Sequence, residues 1–179
     1  MNQEERQQVD YRRYLDQTLA RLARPGLLLA ARGPEGRPHN AMTIGWATFG
    51  IIWGHPMCVV LVRPSRYTYG LIEACQDFTV NVPANGMEDA VQYLGAASGR
   101  DVDKLARVGL TAIPSQAVAS PTLAQCPVTY ECQVVHFNDV LPPNLASEID
   151  RGSYPRGDYH RIYYGQIVAV TASPAAERL

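Results

Sequence analysis

Ala41-Met42-Thr43-Ile44-Gly45-Trp46-Ala47-Thr48-Phe49-Gly50-Ile51-Ile52 leads, through Trp53-Gly54-His55-Pro56, into Met57-Cys58-Val59-Val60-Leu61-Val62. Both runs are rich in β-branched and aromatic residues, which suit a pleated, half-buried surface. Their composition predicts two strands, 41–52 and 57–62, with the turn between them at His55-Pro56. Two strands in succession with no helix between them point to antiparallel pairing rather than to a β-α-β crossover.

Leu27 to Ala31 is a short apolar run, and Arg32-Gly33-Pro34-Glu35-Gly36-Arg37-Pro38 separates it from the first strand. A Gly/Pro cluster between two apolar runs predicts a hairpin. Before it, Val9, Tyr14, Leu15, Thr18, Leu19 and Leu22 recur at three- and four-residue steps, so the spacing predicts a helix over 9–22, ended by Arg24-Pro25-Gly26. Beyond the opening pair of strands, Ser65 is a good N-cap for a helix from Tyr67 to Ala74. Asp77 to Val82 reads as a strand, Met87 to Ala97 as a helix, and Asp101 to Val108 as a shorter helix closed by Gly109. Val128 to Phe137 and Arg161 to Thr171 have β character, and the Pro/Gly/Asn-rich stretch from Pro142 to Gly157 reads as a long surface loop. At least six strands with inserted helices and no regular alternation exclude a doubly wound parallel sheet. The expectation is one mostly-β domain, an antiparallel barrel or α+β fold, behind an N-terminal helical extension over 1–24.

The 179 residues are 46% hydrophobic and 18% charged, ordinary for a globular domain with a sizeable core. Sixteen basic against 17 acidic side chains leave a net charge of -1, which argues against a nucleic-acid partner. Any anion must then be held by a local group of donors. Apolar stretches break well before the ~20 residues of a membrane span. Met1 opens onto Asn2-Gln3-Glu4-Glu5-Arg6, without the apolar run of a secretory signal. Cys58, Cys75, Cys126 and Cys132 show no CxxC pairing and no neighbouring His cluster, so reduced thiols in a cytoplasmic protein are expected.

Two clusters have the residue types for binding. Arg63-Pro64-Ser65-Arg66-Tyr67-Thr68 joins a strand to a helix, putting two guanidiniums and two hydroxyls at a helix start. Unpaired N–H groups and the dipole make such a start an anion site, and Arg offers bidentate phosphate geometry. The alternative is that Ser65 only caps the helix and the arginines are solvated. Asn40-Ala41-Met42-Thr43-Ile44-Gly45-Trp46 has slender residues that let a flat ligand approach the backbone, with Trp46 and Met42 as walls and Thr43 as a hydrogen-bond donor. Plain strand packing accounts for the same residues. Neither a Ser-His-Asp set, nor paired carboxylates, nor a GxGxxG after a strand is present.

Together these clusters, with Phe78-Thr79-Val80-Asn81-Val82-Pro83, Ser98-Gly99-Arg100-Asp101-Val102-Asp103-Lys104-Leu105, Gly109-Leu110-Thr111, Tyr130-Glu131-Cys132 and His160 through Gly165-Gln166-Ile167-Val168, resemble the flavin reductase-like family, its flavoredoxin-type branch most. The segments keep the family's order over roughly residues 25–172. The resemblance implies a Greek-key FMN-binding split barrel over 25–179, usually a homodimer with flavin near the subunit interface. It implies that Met42, Thr43, Ile44, Gly45 and Trp46, with Asn40, line the flavin ring. It assigns the phosphate to Arg63, Ser65, Arg66, Tyr67 and Thr68, and brings Ser98, Gly99 and Lys104 near the cofactor, with Arg100 adding charge. His160 matches a family histidine near the site, the alternative being a structural histidine bonded to the loop before it. Gln166 stands where the family often has Glu, and Gly45 where it often has Ser or Ala. The function implied is hydride transfer from NADH or NADPH to FMN, which needs no catalytic side chain. Two other readings stand beside it: an electron carrier with tightly bound FMN, and a binder of another planar ligand such as haem, with His39, His55, His136 or His160 as axial ligand.

Overall fold

Gly45 and Trp46 divide the run 41–52 into two strands that go to opposite ends of one sheet. The computed structural model describes residues 6–179, so Met1–Glu5 lie outside the described residues. The strands are β1 (Gln7–Gln8), β2 (Leu27–Ala31), β3 (Asn40–Ile44), β4 (Ala47–Ile52), β5 (His55–Val62), β6 (Asp77–Val82), β7 (Ala112–Ile113), β8 (Thr122–Leu123), β9 (Val128–Asp139) and β10 (Arg161–Ala172). The helices are α1 (Leu15–Ala23), α2 (Tyr67–Cys75), α3 (Glu88–Ala96), α4 (Lys104–Arg107) and α5 (Ser147–Ser153).

The main sheet runs β3-β2-β6-β9-β10-β5-β4, with β1 added to the far end of β10 and β7-β8 forming a separate pair. Every pairing is antiparallel. β3 and β4 are at the two ends of this order, yet two residues alone part them in the chain. The sheet must therefore curl until its ends meet. No ladder joins β3 to β4, so the barrel is split there, and Gly45-Trp46 spans the gap.

Inward-facing side chains of β2, β5, β6, β9 and β10, among them Leu27, Leu29, Val60, Phe78, Val80, Tyr130 and Tyr163, fill the barrel. The other face of β2 carries Leu28 and Ala30, which pack with Ala41 against Val91 and Leu94 of α3 and Leu105 of α4. Burial on both faces is why 27–31 is a continuous apolar run rather than an alternating one. Burying one such Leu stabilises the fold by ~1.5–3 kcal/mol. Gly165 marks a tight point between β9 and β6: a Cβ there would lie 2.5 Å from Phe78 Cζ and 2.8 Å from Cys132 Cβ.

Several local expectations are corrected. The predicted helix over 9–22 begins only at Leu15. Gln7–Gln8 pairs with β10, and the Val9 N–H continues that edge by donating to Val170 O. Val9 is apolar because it packs on the barrel, not because it belongs to a helical stripe. The β4–β5 turn is Trp53-Gly54, both at positive φ (53° and 76°), and His55-Pro56 already belongs to β5. The twist of a two-residue hairpin demands that pair of left-handed conformations. Ser65 does not cap α2; Arg66 occupies the N-cap without a side-chain cap, and Ser65 Oγ donates instead to Asp158 Oδ2 at 2.5 Å. The stretch 142–157 is not a plain loop: a 3-10 turn at Pro142–Asn144 and α5 lie within it, and Tyr154 is buried. The helix expected over 101–108 shrinks to α4, capped by Asp103, whose side chain accepts from the Ala106 N–H at 3.1 Å. All four cysteines are free. No helix among the described residues is long and apolar enough to cross a membrane, and no group of three or more His, Cys, Asp or Glu is placed to hold a metal.

Candidate functional site

The split in the barrel opens a cavity of about 200 Å3 lined by Met42, Thr43, Ile44, Gly45, Trp46, Leu61, Arg63, Arg66 and His160. A second cavity of about 170 Å3 adjoins it, sharing Met42 and Arg66, and is walled by Asn40, the 65–68 turn, the end of α3, the 97–100 loop and Lys104. Every residue that the resemblance assigns to the flavin lies on one of these two walls, whereas His39, His55 and His136 do not. Leu61, Leu94 and the segment from Gly95 to Ala97 are additional lining residues. Their apolar or small character gave no signal apart from core packing. Gln166 sits in mid-strand on β10, paired with Met57 and Gln133, and lines neither cavity.

The first cavity is a backbone cradle. Gly45 has open space where a Cβ would stand, with no atom within 4 Å. Thr43 does not present its hydroxyl there, because Oγ1 donates to Val91 O of α3. Trp46 is 46% exposed and meets His160 with ring centroids 5.0 Å apart. His160 Nδ1 is 2.7 Å from the Tyr154 hydroxyl, and Tyr154 comes from the stretch expected to be a loop. Burial, and then the positive field of Arg63 and Arg66 against the opposing Asp158, hold His160 down at about 4, so its imidazole is neutral at pH 7.

The second cavity is cationic. α2 starts on its wall, and among the described residues the N–H groups of Tyr67 and Thr68 have no backbone acceptor. That is the unpaired first turn that favours an anion. Arg66 reaches only Gly95 O, at 3.5 Å, which leaves most of its fork free. Arg100 donates to Ser65 O at 3.0 Å and lies 5.6 Å from the Tyr67 ring. Lys104 is buried, donating to Leu94 O at 2.7 Å and Ala97 O at 3.1 Å at the C-terminal end of α3. Burial, helped by the nearby Arg66 charge, lowers it to about 8. Asn40 Nδ2 donates to Thr68 Oγ1, and Gly99 packs so closely on Asn40 and Tyr67 that no side chain fits.

Arg63 behaves differently from Arg66. Its guanidinium donates to Ser153 O at 2.8 Å, Asp158 O at 2.9 Å and Gly157 O at 3.4 Å, and lies 5.0 Å from the Tyr154 ring. It clamps the segment that carries Tyr154 and delivers His160.

Residues 19–179 match the family model described as the flavin reductase like domain. The chain belongs to the flavin reductase-like family. Solved structures agree on the fold. A flavoredoxin from Methanosarcina acetivorans superimposes with a TM-score of 0.65 at 25% identity, over 83% of this chain and 69% of that one. An FMN-binding protein from Thermus thermophilus, solved with bound 1-cyclohex-2-enone, gives 0.63 at 26% identity over 81% and 68%. The flavoredoxin of Desulfovibrio vulgaris gives 0.66 at 24% identity over 84% and 70%, a likeness of fold. This flavin reductase-like chain is a mostly antiparallel split barrel, and its two cavities lie at the split.

Proposed function

We propose that the chain binds FMN across both cavities and is an NAD(P)H-dependent flavin oxidoreductase. The observation that carries this reading is the continuity of the two cavities through Met42 and Arg66, the first a backbone cradle open at Gly45 and the second lined by the first turn of α2, Arg100 and Lys104. A flat ring with a phosphate on a short tether is the ligand class that fits such a pair. The open space at Gly45 leaves room for the ring against strand backbone. The free amides of Tyr67 and Thr68, the Arg66 fork and the Lys104 ammonium form a donor set suited to a phosphate. Bound FMN supplies hydride chemistry. The residues of the chain bind and orient it, and none is required to act as acid or base.

Trp46, exposed at the cavity mouth, and the cluster of exposed Trp53 and His136 with partly buried Tyr164 support assembly as a homodimer, with a nicotinamide docking transiently at the open face; the same reading places the protein in the cytoplasm. A second reading, an electron carrier that keeps its FMN and serves a protein partner, draws on the likeness to the two flavoredoxins. A haem finds less support, since of the four histidines His160 alone lines the ring cavity among the described residues.

An absorption spectrum of the purified protein with added FMN, followed by NADH and then NADPH under argon, tests the proposal. Rapid bleaching of the flavin band supports the oxidoreductase. Tight flavin with negligible bleaching supports the carrier, and the absence of any flavin complex overturns both.

A further inference from the structure

Tyr154 is only 5% exposed although it follows α5 in a polar, Pro/Gly-rich stretch. Its ring stacks on Tyr159, with centroids 4.7 Å apart and planes at 24°, and the Arg63 guanidinium lies 5.0 Å from its centroid. Arg63 in turn grips the carbonyls of Ser153, Gly157 and Asp158. The phenol is thereby locked with its oxygen 2.7 Å from His160 Nδ1.

That contact has a direction. Among the described residues His160 is the sole hydrogen-bond partner of the Tyr154 hydroxyl. A buried O–H that donates to nothing costs ~1–3 kcal/mol. The hydroxyl therefore donates and Nδ1 accepts. A neutral imidazole that accepts at Nδ1 carries its proton on Nε2. Nε2 bonds to no described residue, and it is not a buried orphan, since Ser173 Oγ alone among the described residues is one. It is therefore accessible, and His160 lines the first cavity.

We propose that Tyr154 is a positioning residue that fixes His160 as the Nε2–H tautomer, so that the ring cavity receives an uncharged hydrogen-bond donor matched to a carbonyl oxygen or bare ring nitrogen on the ligand's edge. The identity of that ligand rests on the flavin reading; the tautomer does not. The charged and titratable groups facing His160 are Arg63 from the end of β5, Arg66 before α2, and Tyr154 and Asp158 from the segment after α5. Two cations against one carboxylate disfavour a third positive charge, and the donated phenol proton disfavours it further. The donor consequently stays neutral and unchanged across the physiological pH range.

Long-range 1H–15N correlation spectra of the full chain read the tautomer directly. The chain has four histidines, and loss of one signal set in His160→Gln assigns His160. The expected spectrum shows a bare Nδ1 and a protonated Nε2, titrating well below the ordinary imidazole range. Tyr154→Phe keeps the ring stack and should move that titration up toward the ordinary value. A protonated Nδ1 in the wild type overturns the proposal, as does an unmoved titration in Tyr154→Phe, and the wild-type spectrum decides even if that variant folds poorly.

FMN titration supplies the second arm. The amide nitrogen of His160→Gln reaches the place of Nε2 and should keep affinity within about threefold, whereas His160→Asn should lose about three- to tenfold. Equal affinities for the two variants sink the aimed donor. If the wild type binds no FMN at all, the flavin reading fails while the tautomer result stands.

Discussion

Asn40 Nδ2 donates to Thr68 Oγ1 across 2.7 Å, with both side chains buried, and so ties β3 beside the first cavity to the first turn of α2 on the wall of the second. Among the described residues the Thr68 hydroxyl has no acceptor for its own proton, so that proton is available to a phosphate oxygen. Thr68→Val keeps the shape and removes both functions. The buried Asn40 amide then loses its partner, and urea denaturation should show a loss of ~1–3 kcal/mol, with weaker FMN binding. Thr68→Ser should restore most of both. Unchanged stability in Thr68→Val would mean that the Asn40 amide finds water instead.

The two arginines of the 63–68 turn should separate experimentally. Arg66→Ala removes a largely free fork from the wall between the cavities and should weaken FMN binding by ~1.5–3 kcal/mol with little effect on folding. Arg63→Ala strips three backbone carbonyls of their donor and should lower the melting temperature first. Calorimetry and flavin titration of both variants test this, and the reverse pattern would exchange their roles.

Lys104 predicts a pH dependence. Its ammonium is lowered from 10.5 to about 8 by burial, so the cation in the phosphate cavity is lost as pH rises through that value. FMN affinity measured by fluorescence quenching should fall between pH 7 and 9, and Lys104→Gln should bind more weakly at pH 7 and show no such fall. Stability runs the opposite way: the unfolded chain keeps this proton to about 10.5, so the contribution of Lys104 to stability grows from about pH 8 to about 10.5 and is lost on returning. A flat affinity profile in the wild type would place the phosphate beyond the reach of Lys104.

Gly165 is held by packing, not by a special backbone angle, since its φ is not among the positive ones. Gly165→Val drives a branched side chain into Phe78 and Cys132 inside the barrel. Overpacking of this kind costs ~1–3 kcal/mol or more, to be read as a lower denaturation midpoint. A midpoint at the wild-type value would show that Phe78 moves aside freely.

Much of the candidate site is legible in the sequence. A strand-to-helix turn bearing two arginines is a phosphate signal on electrostatic grounds, and Arg66 and the α2 amides have the geometry for it. Its neighbour Arg63 has the same composition but is bonded differently, because which donors stay free depends on the distant carbonyls of 153–158. Asn40 to Trp46, taken by its residues alone, reads as strand packing, and only the resemblance makes it a ligand wall. Thr43, the polar member that seemed to offer a ligand contact, in fact bonds to α3. Tyr154 was invisible, since the residues around it are those of a surface loop and its burial comes from Arg63 and Tyr159.

Local chemistry by itself determined the longer strands other than the break within 41–52, the hairpin over 27–44, the helix after Arg66 and the absence of β-α alternation, because period, β-branching and Gly/Pro punctuation act over a few residues. The two-residue strands β1, β7 and β8 carry too short a pattern to read. The break at Gly45-Trp46 belongs to the tertiary structure. Nothing local divides 41–52; the division arises because the two ends of a seven-strand path must meet, and the chain crosses between them without pairing. The same closure creates the cavities and sorts the cations. Burial, shared carbonyls and neighbouring charge are sums over the whole barrel, and no window of sequence contains them.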